Sequence, residues 1–279
     1  MAEDTIQIPI MVEAIPFETL ELNGVEKALA KCQDAGYSAL FAPQVADGRI
    51  LAPQDSYIVQ NGFTTQSIRV TGRTKRGKTV VVYGHVPNYF SAPANIKKAR
   101  AEGLVNGAGR MPQKEFYHLL DLEDGSNVFV VDYNALRNAV SGIVQLNDAM
   151  KHPQTIPFLG GEDRAEKYLE KHGLVYGKNI GIWHSDDLGD VPQGRLLVLG
   201  DDYDVCGSGL YGFCNLDGNA RFAGVLAAEP PIQVNAREAP RENGAAPDLE
   251  NILGRLTHLL APAVIDQARA ELAQLYPQS

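Results

Sequence analysis

The segment from residue 57 to residue 86 constrains the fold most, because it alternates apolar and polar residues between marked turns. Tyr57–Gln60 is followed by Asn61-Gly62, a strong two-residue turn signal, and then by alternation from Phe63 to Val70. A second turn leads into the β-branched run Thr79–Tyr83. This spacing predicts an antiparallel meander.

The flanking segments mix helix and strand patterns. Asn23, with Glu26 three residues later, predicts a capped helix that ends at Gly36. Gly160-Gly161 opens the clearest helix, with acidic residues at its positive end and basic residues toward its negative end. Further helices are predicted at 95–102 and 112–120, and strands at 6–12, 128–131, 180–183, 195–199, 210–214 and 221–226. We therefore predict an α+β fold, with a mixed, largely antiparallel sheet and flanking helices.

Composition divides the chain into three parts. Residues 1–228 form the predicted α+β body. Residues 229–248 contain four prolines and are predicted to be a linker. Residues 249–279 place leucine and isoleucine at helical spacing, which predicts an amphipathic helical tail. That tail packs either on its own domain or on a partner, including a second copy of the chain.

The lack of a recognisable secretory signal or membrane span, together with the small number of cysteines, predicts a cytoplasmic protein. Six acidic residues precede the first basic one, Lys27, so no secretory signal is recognised. The apolar runs are far shorter than the ~18 residues of a membrane span. Three cysteines are too few for a disulfide framework, which favours free thiols in a reducing compartment.

Charge is unevenly distributed along the 279 residues, which carry a net charge of −9. Residues 67–110 contain nine basic residues and one acidic residue, a net charge of +8, so the remainder carries −17. We refer to residues 67–110 as the basic segment. It predicts binding of a small anionic, phosphate-bearing ligand, or less favourably of nucleic acid, whereas the alternative is a solvated hairpin. The candidate ligand-binding residues are Arg73, Lys75, Lys78, Tyr83 and His85.

Two glycine-rich motifs lie in contexts that argue against their usual functions. Gly72–Thr79 matches the letter pattern of a phosphate-binding P-loop, but the residues that follow it predict a strand rather than the required helix. Gly207–Gly212 matches a dinucleotide-binding pattern, but no helix opens after it. Neither motif is assigned a cofactor.

Two acidic clusters follow two predicted strands. His184 and Asp186 are the candidate catalytic pair, and Asp187, Asp201 and Asp202 are candidate ligands for Mg²⁺ or Mn²⁺. Strands of the same sense would bring the two clusters to one edge of the sheet. A connection that carries Pro192 favours an antiparallel return, which separates them, and aspartates are also common turn formers.

The leading functional prediction is a cytosolic protein that binds a phosphate-bearing anion, in its most specific form a divalent-metal-dependent phosphoester hydrolase. The alternative is a non-catalytic scaffold subunit, a homo-oligomer that associates through residues 249–279. The sequence leaves open whether the protein is an enzyme.

Overall fold

The computed structural model of the chain describes residues 14–200 and 208–226. Its strands are β1 Ile15–Thr19, β2 Tyr37–Ala39, β3 Phe63–Arg73, β4 Thr79–Gly84, β5 Gly109–Arg110, β6 Val128–Asp132, β7 Gly142–Gln145, β8 Asn179–His184, β9 Gln193–Gly200, β10 Gly209–Gly212 and β11 Ala220–Leu226. Its helices are α1 Gly24–Asp34, α2 Ala42–Leu51, α3 Tyr57–Gln60, α4 Pro93–Ala101, α5 Gln113–Asp121, α6 Tyr133–Arg137, α7 Leu146–Ala149, α8 Thr155–Leu159 and α9 Glu162–Tyr176, with a 3-10 turn at Tyr89–Ser91.

The strands form one mixed, mostly antiparallel sheet, which confirms the predicted α+β class. Its main path runs β1-β11-β3-β9-β10-β8-β7, with β4 and β6 joined through β3. The long strand β3 pairs with β9 on both sides of an irregularity between Thr64 and Ile68. Such a bulge bends a strand, and here it lets β3 join β11 near one end and β4 near the other.

The first and last strands of the described part are neighbours. β1 pairs with β11 in antiparallel register from Ile15↔Gly224 to Thr19↔Ala220. Their connection to the rest of the sheet passes through β3, the parallel neighbour of β11. The two ends of the described fold are therefore held together at one edge of the sheet.

Apolar side chains form two cores that involve different helices. One core joins the sheet to α2, α8 and α9 through residues such as Phe158 and Leu169. The other joins it to α1, α4 and α5 through residues such as Leu29, Ile96 and Phe116. Helices over both cores explain why the central strand β3 is buried continuously from residue 63 to residue 72.

Residues 57–60 form helix α3, so the predicted strand and the hairpin at Asn61-Gly62 are wrong. A hairpin turn of that type needs a positive φ at its central residues, whereas Asn61 is extended at φ −131° and ψ 149°. The buried Arg49 side chain donates to the carbonyl of Ile58 at 3.0 Å and to that of Asn61 at 2.7 Å. These long-range bonds stabilise a helical turn that a four-residue pattern does not reveal.

Contacts within the chain separate a unit that ends at Ala228 from residues 229–279, and every described residue belongs to the first unit. The predicted linker 229–248, the tail 249–279 and the strand 6–12 lie outside the described residues. The three-part organisation stays a prediction. Among the described residues, no helix is long and apolar enough to cross a membrane.

Candidate binding face

Three aromatic side chains cluster on the outer side of β8 and β10. Trp183 and Tyr211 are register partners in these parallel strands, and their rings are nearly parallel with centroids 6.5 Å apart. Phe213 follows β10 and meets both rings edge-on, with centroids 6.4 Å from Trp183 and 5.5 Å from Tyr211. We call these three residues the aromatic face.

Strand alternation explains why this face points away from the core. Ile182 and Leu210 are fully buried in the core that contains α9, and successive residues of a strand point to opposite sides. The Tyr211 ring lies against the backbones of Gly200 and Gly209, where a Cβ atom at Gly209 would come within 2.7 Å of the ring. Glycine at these positions therefore gives the ring its place on the sheet.

An open groove of about 480 Å³ lies beside the aromatic face. Its rim carries two exposed apolar side chains, Leu20 at 74% and Phe213 at 37% exposure. Its polar lining includes Asn215, Asn219 and Arg221. Apolar and hydrogen-bonding groups thus meet in one concave surface, the usual composition of a binding site.

Arg221 is held in place at the groove by neighbours from three segments. Its Nε donates to Glu18 at 2.8 Å, and its Nη1 donates to Asn61 Oδ1 at 2.9 Å. The guanidinium also lies 5.7 Å from the centre of the Tyr57 ring. These contacts orient a cation at the groove before any ligand arrives.

A buried charged network lies behind the loop that carries Phe213. Asp187 is 1% exposed and accepts hydrogen bonds from Arg195 Nε at 2.8 Å, Arg195 Nη2 at 2.9 Å and Arg69 Nη1 at 2.7 Å. The Ser185 hydroxyl donates a further bond at 2.9 Å. Two buried guanidinium groups therefore share one carboxylate.

Arg195 connects this network to the groove. Its Nη1 donates to the Phe213 carbonyl at 3.1 Å and to Asn215 Oδ1 at 2.9 Å, while Nη2 donates to the Asn106 carbonyl. On the other side of the loop, the Asn23 N–H donates to the Asp217 carbonyl at 2.7 Å. The segment from Phe213 to Asp217 is thus fixed from both sides.

The metal-binding role predicted for Asp187 is wrong, because both of its oxygens are occupied by arginine. Burial raises the pKa of Asp187, but the hydrogen bonds and charges of Arg195 and Arg69 outweigh it, so the pKa lies below its ordinary value. Among residues 14–200 and 208–226, no three His, Cys, Asp or Glu side chains are grouped to hold a metal ion.

His184 and Asp186, the predicted catalytic pair, line one small cavity of about 110 Å³. Burial and the charge of Arg69 lower the pKa of His184 to about 4, so its ring is neutral near pH 7. The Tyr133 hydroxyl donates to Asp186, and Arg137 lies 3.6 Å from the same carboxylate. The structure thus brings the pair together on the opposite side of β8 from the Trp183 ring.

Asp201 and Asp202 lie outside the described residues. Gly200, which precedes them, pairs with Gly209 at the start of β10, whereas His184 pairs with Gly212 at its end. Strands β8 and β9 therefore run in opposite senses with β10 between them. This matches the predicted antiparallel return.

Two of the predicted ligand-binding residues, Tyr83 and His85, are buried, which corrects their assignment to a ligand surface. Tyr83 is fully buried and donates to Gln154 Oε1 at 3.0 Å. His85 Nδ1 lies 2.8 Å from the Ser67 hydroxyl, and its Nε2 lies 2.8 Å from the Pro157 carbonyl. Since carbonyls only accept, Nε2 carries the proton, and burial lowers the pKa of this ring to about 4.

The basic segment does not form one continuous surface. Arg69 is buried in the charged network, and Arg100 pairs with Glu26 at 2.9 Å. Arg73, Lys75 and Lys78 do lie at the β3–β4 turn. There Lys75 sits 5.2 Å from the centre of the Tyr117 ring, and Lys78 pairs with Asp132 at 3.2 Å.

Sequence reasoning missed the aromatic face. One signal was present: Trp183 continues a strand whose alternate residues, Ile180 and Ile182, are apolar, which places the large ring on the other side. Its meeting with Tyr211 and Phe213 depends on β10 lying directly beside β8.

Comparison with known proteins gives one informative match. No family model matches this chain, and no curated protein matches it. A solved structure, described as "Accommodation of massive sequence variation in Nanoarchaeota by the C-type lectin fold", is 50% identical with a TM-score of 0.71. The match covers 77% of this chain and 99% of that one.

This match overturns the prediction of a phosphate-binding protein or phosphoester hydrolase, because the similar structure is a C-type lectin fold protein. The scaffold alternative depended on residues 249–279, which are not described. At 50% identity over nearly the whole of the matched chain, the protein belongs to the family of C-type lectin fold proteins represented by that structure.

Proposed function

We propose that the protein recognises a carbohydrate on the aromatic face and the adjoining groove. The observation that carries this proposal is the Trp183–Tyr211–Phe213 cluster, which lies on the outer side of the sheet beside a groove of about 480 Å³. A sugar ring has an apolar face that stacks on an aromatic ring and hydroxyl groups that bond to polar side chains. Phe213 supplies the first kind of contact, and Asn219 and Arg221 supply the second.

The side chains at the rim of the groove are not part of the apolar cores that stabilise the fold. Leu20 and Asn219 are exposed, and Phe213, although it packs on Trp183 and Tyr211, belongs to neither apolar core. The similar structure is described in terms of massive sequence variation accommodated by the C-type lectin fold. A rim of this kind supports the proposal that recognition here is set by residues that the fold does not need.

Calcium often takes part in ligand binding by C-type lectin folds. The donor set here does not fit such an ion within the described residues, because no three His, Cys, Asp or Glu side chains are suitably grouped and Asp187 is bound by two arginines. We therefore assign recognition to stacking and hydrogen bonding and route no step through a metal.

Titration with a panel of soluble oligosaccharides tests this proposal. Trp183 is the only tryptophan and packs against Phe213, so its fluorescence reports binding at the face. We expect at least one oligosaccharide to change the emission saturably, and F213A to weaken that binding by about tenfold, or about 1.4 kcal/mol.

Leu174 provides a matched control, because it is 78% exposed on α9. L174A should bind as the wild type does. Equal weakening by both variants, or saturable binding of unglycosylated peptides with no oligosaccharide response, would contradict carbohydrate recognition at this face.

A further inference from the structure

The cavity lined by His184, Asp186 and Tyr133 contains two buried polar atoms with no protein partner. His184 Nε2 and Arg69 Nε have no hydrogen-bond partner among the described residues. Both side chains line the cavity of about 110 Å³. Because more than ~90% of buried polar atoms in proteins are hydrogen-bonded, two orphans at one cavity indicate an occupant that pairs with them.

The two orphans require opposite hydrogen-bonding functions. The Ala139 backbone raises the pKa of His184, as a carbonyl facing Nδ1–H does, so in the neutral ring Nε2 is the nitrogen without a proton. Nε2 is then an acceptor. Arg69 Nε always carries a proton and is therefore a donor. An occupant that satisfies both must donate one hydrogen bond and accept another.

The hydrogen-bonding functions at the cavity favour a neutral occupant. In the partly exposed Arg137–Asp186 pair, at 3.6 Å, the two charges offset each other. Arg69 shares the buried Asp187 carboxylate with Arg195, so one positive charge stays in excess behind the cavity. That charge repels a cation, and a carboxylate anion has no hydrogen to donate to His184 Nε2.

Size and shape narrow the class of occupant. The volume of about 110 Å³ exceeds the ~30 Å³ that one water occupies in the liquid. Leu136 supplies an apolar wall. We propose that this cavity binds a carboxamide group, whose N–H donates to His184 Nε2, whose carbonyl accepts from Arg69 Nε, and whose alkyl part contacts Leu136.

A carboxamide can come from a free small amide or from a glutamine side chain. Acetamide is the first probe, and its binding to the full chain is measured by saturation transfer to its methyl protons. Acetate and methylammonium are the charged counterparts. We expect saturable binding of acetamide and at least tenfold weaker binding of both ions.

Substitutions at His184 test whether acetamide binds at this cavity or non-specifically elsewhere on the protein. H184F removes the acceptor and should weaken acetamide binding by about tenfold, whereas H184Q keeps an acceptor oxygen and should stay within threefold of the wild type. H118F, at an exposed histidine of α5, makes the same chemical change and should have no effect. Thermal melts of all variants verify folding.

Glutamine blocked at both backbone ends, compared with blocked methionine, distinguishes the two sources. Selective binding of blocked glutamine assigns the site to a partner's side chain, and binding of acetamide alone assigns it to a free amide. No saturable transfer from any amide, or equal transfer in H184F, means that water alone fills the cavity and overturns the proposal. Either result leaves carbohydrate recognition untouched, because Trp183 and His184 point to opposite sides of β8.

Discussion

Asp187 is the carboxylate at the centre of the buried charged network. It is buried between Arg69 and Arg195 and hydrogen-bonds to both. Removing the charge from a buried group of this kind leaves its partners desolvated and uncompensated, which costs far more than the pair itself contributes. The two arginines therefore make this aspartate a structural residue.

We predict that D187N lowers the free energy of unfolding by about 3–5 kcal/mol, because it leaves two buried guanidinium groups without a carboxylate. Urea denaturation at pH 7 measures this. D190N changes an exposed aspartate of the same loop and should alter the stability by less than about 0.5 kcal/mol. Similar losses in the two variants would show that the network is not the source of the effect.

Titration adds a second expectation for Asp187. Its pKa is lower in the folded chain than its ordinary value, so its contribution is fully present above about pH 4 and is lost as the pH falls further. Wild-type stability should fall in that acid range. D187N, which has no carboxyl to protonate, should lose less stability over the same interval.

The buried His85 should make the stability of the fold depend on pH in a higher range than Asp187 does. Burial lowers its pKa from 6.5 to about 4, so the folded chain binds fewer protons than the unfolded chain between these values. Its contribution to stability is full above pH 6.5 and declines as the pH falls toward 4. From pH 7 to pH 5 the loss from this residue is about 2 kcal/mol.

Urea denaturation at pH 7 and pH 5 checks this expectation. H85Q should be less stable than the wild type at pH 7, because it disturbs bonds to Ser67 and Pro157, but it should show a smaller difference between the two pH values. H118Q, at an exposed histidine, should keep the wild-type difference. An undiminished difference in H85Q would assign the proton uptake elsewhere.

Among the elements, the loop that follows β10 depends on Arg195. The guanidinium bonds at once to Asp187, the Phe213 carbonyl and Asn215, and a lysine ammonium cannot reproduce this planar fork. We predict that R195K loosens the loop and exposes Trp183 to a soluble quencher. Acrylamide quenching of the single tryptophan should rise relative to the wild type.

Arg110 provides the control for that measurement, because it is an exposed residue of β5. R110K should leave the quenching constant unchanged. If R195K quenches as the wild type does while remaining folded, the loop is held by its bonds to Asn23 and not by Arg195.

Predictability from sequence also differs among the elements. β4, β6, β8 and β11 were predicted because apolar and β-branched residues dominate each of them. The strand predicted at residues 57–60 is wrong because a four-residue pattern fits either a strand or a helical turn, and hydrogen bonds from Arg49 stabilise the turn. Tertiary contacts here override local propensity.

The candidate sites are even harder to predict from local sequence patterns than the elements are. His184 and Asp186 were expected to act together and do line one cavity, because two positions in sequence keep them close. The function of Asp187 depends on Arg69, which is 118 residues away in the chain. No local pattern distinguishes an aspartate held in that way from one that binds a metal.

The described part of the fold separates a buried framework from the exposed surface that we propose binds carbohydrate. The sheet and the charged network fix the backbone of the groove, while Leu20, Phe213 and Asn219 project from its rim. Surface positions away from packed or charged networks change stability by less than about 0.5 kcal/mol when replaced. We therefore expect the residues at these three rim positions to change the ligand preference with little effect on stability.

A combinatorial library at Leu20, Phe213 and Asn219, scored separately for thermal stability and for oligosaccharide binding, tests this account most directly. We predict that most variants melt within about 5 °C of the wild type while the affinity or the preferred oligosaccharide changes. The same library placed at Ile182 and Leu210, which are fully buried, should abolish folding. Widespread unfolding of the rim library, or variants that fold and bind as the wild type does, would contradict recognition at this face.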